Sequence, residues 1–305
     1  MLSMPLTQPL ISNLSSLTER MMLIRVLETR LQALCDSGEL TADLHFSRGQ
    51  EGIAVGVEAA LRPSDYVVSH HRTIAHVVAR GVPLEPLIAE LLGKANGLNG
   101  GLAGEMHLSY LPKRFMFSFQ LVGTVISVGA GIAWAVKNHL KSDDIVVVFC
   151  GEAATANAQF HEGLNIAAVQ KVPLLLVCEN NHVAGNVKEE SYIPVSPFER
   201  AAGYGVKAAR VDGNNVEAVM EAASHAAHYV RTQCRPFLLD CDTTRLGRHK
   251  QGMGDRRTKE EMEILALRDP LRDVQLPSGF KEAMEAEIEE LIEDIQRSPD
   301  PVLRQ

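Results

Sequence analysis

The chain has no CxxC pair, no apolar run of membrane length and no dense stripe of lysine or arginine. Each absence removes a class of protein. The five cysteines, Cys35, Cys150, Cys178, Cys234 and Cys241, are an odd and scattered set, which supports neither a disulfide framework nor a zinc site. Cys150 and Cys178 close strongly apolar segments, where a free thiol behaves as a small hydrophobe; a reducing cytoplasm is the expected location. The longest apolar runs cover six or seven residues, far short of the roughly 20 that a membrane span needs, so no membrane association is expected. Met1–Leu10 lacks a charged segment leading into an apolar one and is not read as a signal peptide. The formal net charge is −8, and the basic clusters at 245–250 and 256–259 are short. A nucleic-acid partner is therefore not expected. Internal repeats and low-complexity linkers are also lacking.

What is there is an ordinary globular composition, 46% hydrophobic and 22% charged over 305 residues, enough for one large domain or two modest ones. Residues 1–14 are expected to be loosely held. Ser16 and Glu19 form a capping box. After it Leu17, Met21, Ile24, Leu27, Leu31 and Leu34 recur at helical spacing until Gly38. Residues 49–61 and 83–92 read as further helices, 96–123 as a glycine-rich functional loop, and 124–140 as a buried helix. Ile145–Cys150 is a continuous β-branched run, as expected of a parallel strand covered on both faces. A helix over Phe160–Gln170 and a second buried strand over Leu174–Cys178 complete a βαβ unit. Strands at 205–211 and 236–241 flank a helix at 215–232, and 259–296 holds two charged amphipathic helices. The division expected is a flexible N-terminus (1–14), one α/β domain (15–270) and a helical C-terminal tail (271–305).

In an open parallel sheet, ligands bind at the carboxyl ends of the strands. Gly151-Glu152 follows the first buried strand and Asn180-Asn181 the second. A carboxylate, an amide oxygen and a nearby carbonyl are the oxygen donors that Mg²⁺ or Ca²⁺ prefers, with phosphate oxygens completing the shell. The small residues Ala153 and Ala154 let backbone N–H groups approach a phosphate. By chemistry alone, Glu152 is also readable as the cap of the following helix.

The segment GEAATANAQFHEGLNIAAVQKVPLLLVCENN resembles the thiamine diphosphate motif, which opens Gly-Asp-Gly and closes Asn-Asn. Its interior is similar to the alpha subunits of pyruvate, branched-chain 2-oxo acid and acetoin dehydrogenases. HFSRGQEGIAVGVEAALRPSDYV, ARGVPLEPLIAELLGKANGLNGG, ERAAGYGVKAARVDGNNV and RDPL resemble the same family in the same order, so the likeness spans about residues 17–275. It implies a three-layer α/β thiamine diphosphate-binding fold with a mainly parallel sheet. It also implies metal ligation by Glu152, the Asn181 side chain and the Val183 carbonyl, and diphosphate contacts from His71 and Arg72. Backbone groups near Gln120 and Val122 would hold the pyrimidine end, and His249 would be the active-site histidine. The implied activity is decarboxylation of a 2-oxo acid, or acetoin cleavage, with transfer of the acyl unit to an acceptor such as a lipoyl group on an acyltransferase. The implied partner is a beta subunit carrying the pyrimidine-binding domain, in a heterotetramer of two alpha and two beta chains.

The chain departs from that pattern where cofactor and substrate would sit. The motif's Asp is Glu152 and its second Gly is Ala153. His71 stands for Tyr, Ile74 for a frequent His and Gln120 for Gly, while Gly-His-Ser has become Arg248-His249-Lys250. Lys250 replaces the serine that kinases modify in mitochondrial relatives. Besides the dehydrogenase reading, these changes leave open a carboligase joining the acyl unit to another carbonyl, and a catalytically silent scaffolding subunit.

Overall fold

The computed structural model describes residues 10–301; the expected looseness of the N-terminus concerns mostly residues outside that span. Within it, a short 3-10 turn at Ile11–Asn13 precedes α1 (Leu17–Ser37). The capping box forms as the sequence indicates: Ser16 Oγ accepts from the Glu19 amide, and the Glu19 carboxylate accepts from the Ser16 amide. Gly38 ends the helix in the left-handed conformation, φ 82°, which costs glycine little.

The chain continues through α2 (Glu51–Ala59), β1 (Tyr66–His70), α3 (Ile74–Ala79), α4 (Leu84–Leu91), β2 (Phe115–Phe119) and α5 (Thr124–Ala135). Then come β3 (Val146–Gly151), α6 (Ala158–Gln170) and β4 (Leu174–Asn180), followed by a two-stranded antiparallel hairpin, β5 (Val183–Ala184) with β6 (Val187–Lys188). The last elements are α7 (Pro197–Ala202), β7 (Lys207–Asp212), α8 (Val216–Gln233), β8 (Phe237–Asp242), α9 (Lys259–Ala266) and α10 (Phe280–Gln296). Residues 96–123 are not wholly irregular: Phe115–Phe119 forms an edge strand paired in parallel with β1. Leu108 and Ser118 stitch the preceding loop to it through a backbone bond of 2.8 Å.

The main sheet has the order β2-β1-β3-β4-β8-β7, with every pair parallel. Alternation along the central strands divides the core. Val147, Phe149, Leu175 and Val177 point into one layer with α1, α2, α3, α4, α8 and α10. Val146, Val148, Cys150, Leu174, Leu176 and Cys178 point into the other, with α5, α6 and α7. The result is a three-layer α/β sandwich, which explains why β3 and β4 read as unbroken apolar runs. The C-terminal helix belongs to the first layer: Phe280, Met284, Ile288, Ile292 and Ile295 are buried at steps of four and then three against α1 and α4.

Chain order reverses between β1 and β3. From β1 the sheet grows one way to β2, and from β3 the other way to β4 and β8. Crevices open at such a reversal, beyond the carboxyl ends of the strands.

Candidate active site

A cavity of ≈ 240 Å³ lies at that point, lined from the ends of β1 (His70, His71, Arg72), β3 (Gly151, Glu152, Ala153, Ala154), β4 (Glu179, Asn181) and the loop after β8 (Arg245, His249). Val122 and Val183 complete the wall. The structure thus brings together every residue assigned from the sequence to metal or cofactor except Gln120, which is exposed beyond β2 and outside the lining. Of the other departures, Ile74 is buried in the core, and Arg248 and Lys250 pair with Asp36 and Asp43, away from the cavity. His107 is exposed on the glycine-rich loop.

Two buried guanidinium groups face this space. Arg72 is 4% exposed; it donates to the Phe46 carbonyl, to the His249 carbonyl at 3.0 Å and towards His249 Nδ1 at 3.4 Å. Arg245 is 1% exposed and donates to the carbonyls of Val183 (3.4 Å), Gly185 (2.7 Å) and Gly247 (3.1 Å). Neither makes an ion pair with a carboxylate among the described residues. Burial, with the neighbouring Arg72 charge, lowers Arg245 to about 9. Carboxylates act on both only at longer range, Glu105 and Glu179 foremost on Arg72 and Asp255 on Arg245. A buried cation without a carboxylate in contact is costly, so these two groups are poised for an anion.

Across the cavity the sign reverses. Glu152 is 2% exposed and has no cationic partner among the described residues. The Tyr192 hydroxyl donates to its Oε1 at 2.7 Å and the Asn181 amide to its Oε2 at 3.4 Å. Burial raises its pKa above the ordinary carboxylate range, against the pull of those bonds. It does not cap α6: that role falls to Asn157, whose side chain accepts from the Gln159 amide at 2.9 Å. Asn181 Oδ1 accepts from the Val183 amide at 3.3 Å, and its Nδ2 donates to Gln50 Oε1 at 2.7 Å. Carboxylate, amide oxygen and the neighbouring carbonyl therefore share one wall. The turn carrying them is held by His182 (φ 62°). Its ring bridges Glu189 (2.5 Å) and Asp242 (3.0 Å), and those acids raise it to about 9.

The histidines around Arg72 are uncharged at neutral pH. Burial, then Arg72, lowers His249 to about 4 and His45 to about 3; burial and His70 push His71 lower still. Beneath them Glu179 joins His70 Nε2 (2.6 Å) and His76 Nε2 (3.2 Å). His70 Nδ1 accepts from the Arg72 amide at 3.2 Å, fixing the backbone from which the guanidinium extends.

Several of these groups were not singled out from the sequence. Gln50 reads there as part of a helix start. Arg245 stands four residues before His249 and was visible only as one of a basic cluster. Tyr192 carries no local signal at all. His45 and Glu105 meet across the fold, the His45 amide donating to Glu105 Oε2 at 2.7 Å and Nδ1 lying 3.1 Å from the same oxygen.

Residues 19–293 match the Dehydrogenase E1 component family. The chain belongs to it. The alpha subunit of acetoin:2,6-dichlorophenolindophenol oxidoreductase from Bacillus subtilis is 34% identical over 275 residues, 86% of this chain and 78% of that one. The pyruvate dehydrogenase E1 component subunit alpha of Zymomonas mobilis is 33% identical over 282 residues, 91% of this chain and 79% of its own. The acetoin-oxidoreductase alpha subunit of Cupriavidus necator is 33% identical over 234 residues, 76% and 70% of the two chains. Membership in the family makes this chain an alpha-type subunit of an enzyme acting on oxo groups and implies dependence on thiamine diphosphate. Alpha subunits of this kind pair with beta subunits. Among the described residues no helix is long and apolar enough to cross a membrane.

Proposed function

We propose that this chain binds the diphosphate of thiamine diphosphate through a divalent metal, as the alpha subunit of a two-chain enzyme acting on a 2-oxo acid or acetoin. The observation that carries this reading is the pattern of unpaired buried charge. Arg72 and Arg245 face the cavity without carboxylate partners, and Glu152 faces it without a cation. A diphosphate accompanied by Mg²⁺ (or Ca²⁺) would answer all three. The donor chemistry fits a hard cation: Glu152, the Asn181 amide oxygen and the Val183 carbonyl are oxygen ligands, and phosphate oxygens and water would fill the remaining positions. Arg72, Arg245, His71 and His249 would hold the diphosphate, together with backbone N–H groups at Gly151, Ala153 and Ala154. Val122, with the backbone near Gln120, would meet the pyrimidine end.

When bound, thiamine diphosphate supplies the carbanion chemistry by which a 2-oxo acid loses CO₂ or acetoin is cleaved. This chain's residues position and neutralise. Arg72 keeps a fixed positive charge beside the substrate-facing side of the cavity, and the uncharged imidazole of His249 can donate or accept a proton there. Val122 is 44% exposed although it lines the cavity, so that wall opens to the surface. We place the beta subunit over this opening, in an assembly of two alpha and two beta chains. The acyl unit would pass to an acceptor such as a lipoyl group on an acyltransferase. A cytoplasmic location accords with the free cysteines. The retained charges speak against a silent scaffold.

The test is calorimetry of thiamine diphosphate with Mg²⁺ on this chain co-purified with its beta subunit. Saturable, metal-dependent binding that Asn181→Ala abolishes is expected, followed by turnover in a screen of 2-oxo acids and acetoin. Absence of binding in the assembled complex would sink the proposal.

A further inference from the structure

One group of side chains has a chemistry that the oxygen-lined wall lacks. His45, His71 and His249 converge from the loop before α2, the end of β1 and the loop after β8. One ring nitrogen of each lies within 4.8 Å of the other two. The rings meet edge to face, with centroids 4.7, 5.3 and 5.8 Å apart. Neither nitrogen of His71 has a hydrogen-bond partner among the described residues. His45 is turned by Glu105, whose Oε2 lies 3.1 Å from Nδ1, leaving Nε2 free for another bond.

We propose that His45, His71 and His249 form a binding site for a borderline-soft divalent cation of the Zn²⁺ type, placed so that its occupation and diphosphate binding exclude each other. Imidazole nitrogen is the ligand such ions select, whereas Mg²⁺ takes oxygen. Metal ligation requires the neutral ring, the form that burial imposes on all three. A carboxyl group accepting the remote N–H of a ligating histidine is the recurrent outer shell of zinc sites, orienting the ring and raising its basicity; Glu105 holds that place for His45.

Tetrahedral coordination at about 2.0–2.1 Å sets ligand nitrogens about 3.4 Å apart, so the rings must close by at most about 1.4 Å. His71 and His249 line the cavity, so a cation held between them borders the space proposed for the diphosphate. Arg72 opposes a cation here. Its firm bonds are to the Phe46 and His249 carbonyls, so the 3.4 Å approach to His249 Nδ1 can be given up. The mutual exclusion rests on the cofactor site proposed above, because His71 and His249 serve both; the metal site itself does not.

The experiment titrates the metal-stripped full chain, in complex with its beta subunit, first with Zn²⁺ and then with Co²⁺. One equivalent per chain is expected, with intense visible absorption for Co²⁺ from nitrogen-rich tetrahedral coordination, undiminished by millimolar Mg²⁺. His71→Tyr and His45→Gln should each weaken Zn²⁺ at least tenfold, while His225→Ala, on the exposed side of α8, leaves it unchanged. Unaltered affinity in both pocket variants, or a six-coordinate Co²⁺ spectrum in the unmutated protein, would overturn the site without recourse to any variant that misfolds. Thiamine diphosphate is then titrated with and without Zn²⁺. A loss of at least tenfold in its affinity is expected, and simultaneous binding of both would overturn the exclusion. Zinc binding in a complex that never takes up thiamine diphosphate would support the metal site and remove the cofactor reading.

Discussion

Replacing Glu152 with Gln separates what the buried carboxylate costs from what it binds. The amide oxygen can still accept from Tyr192 at the position now 2.7 Å away, and only the weak 3.4 Å contact to the Asn181 amide is disturbed. The charge is lost. A buried ion without a counter-charge costs several kcal/mol before its hydrogen bonds are credited, and two such bonds return part of that, so a net gain on the order of 1–3 kcal/mol is expected for the metal-free protein. Unfolding entropy of about 2.1 cal/mol/K per residue over 305 residues gives about 0.64 kcal/mol/K, so the melting temperature should rise by about 2–5 °C. The sign follows from linkage. A carboxylate raised in the folded state makes the protein less stable as pH climbs through the raised value, so the variant's advantage should fade below about pH 4, where both chains are neutral. Ligand works against the variant and narrows its advantage by about 1.8 kcal/mol. At a hundredfold excess over Kd the unmutated protein gains about 2.7 kcal/mol, or about 4 °C; a thirtyfold weaker site gains about 0.9 kcal/mol, or about 1.5 °C. The assay is thermal unfolding of both proteins, metal-free and with Mg²⁺ and thiamine diphosphate. A metal-free variant that melts below the unmutated protein, or an equal response to ligand in both, would refute the reasoning.

Glu152→Asp shortens the arm by about 1.5 Å; it should strip Tyr192 of its acceptor, lower metal-free stability by about 1–2 kcal/mol, and tighten Mg²⁺ binding measured by calorimetry. Because the folded state holds His249 near about 4 while the unfolded chain titrates near about 6.5, stability should fall as pH drops from about 6.5 to about 4. Denaturant midpoints of His249→Asn should show a shallower slope across that window. Gly49 sits at φ 93° with the Thr244 carbonyl 2.2 Å from where a Cβ would lie; Gly49→Ala should cost at least about 2 kcal/mol and, by shifting the loop that carries Arg245 and His249, weaken cofactor binding. Arg72→Lys keeps the charge but cannot hold the Phe46 and His249 carbonyls in one fork; thiamine diphosphate should bind ~10–100-fold more weakly, with the melting temperature as the control for folding.

The elements legible in the sequence are those whose burial is uniform or periodic. Ile145–Cys150 and Leu174–Cys178 announce themselves because both faces of the central strands are covered. Strand β1 does not, because Ser69 and His70 interrupt the apolar run; they are buried through bonds to His76 and Glu179 that only the folded chain supplies. Strand β2 is hidden for a different reason. It lies at the sheet edge inside a glycine-rich stretch, and its pairing with β1 joins segments far apart in sequence. At the site, residues that sit directly after strands or carry the family likeness could be named: Glu152, Asn181, Arg72 and His249. Their partners could not. Tyr192 reaches Glu152 from an irregular segment 40 residues away, and Gln50 reaches Asn181 across 131.

Those unreadable partners bear on the motif's most conspicuous change. A glutamate in place of aspartate adds a methylene to a ligand that must satisfy short, octahedral distances around Mg²⁺. In this fold one carboxylate oxygen is drawn to the Tyr192 hydroxyl and the other lies 3.4 Å from the backbone amide of Asn181, the second proposed ligand. Burial and the Glu152 charge keep the Tyr192 hydroxyl protonated, and so a donor. The longer arm is therefore tethered to one wall, and the charge presented to the cavity is the same as an aspartate's. What differs is the tether: under the proposed function, metal affinity would depend on a tyrosine outside the motif, 40 residues from Glu152, as well as on the motif itself.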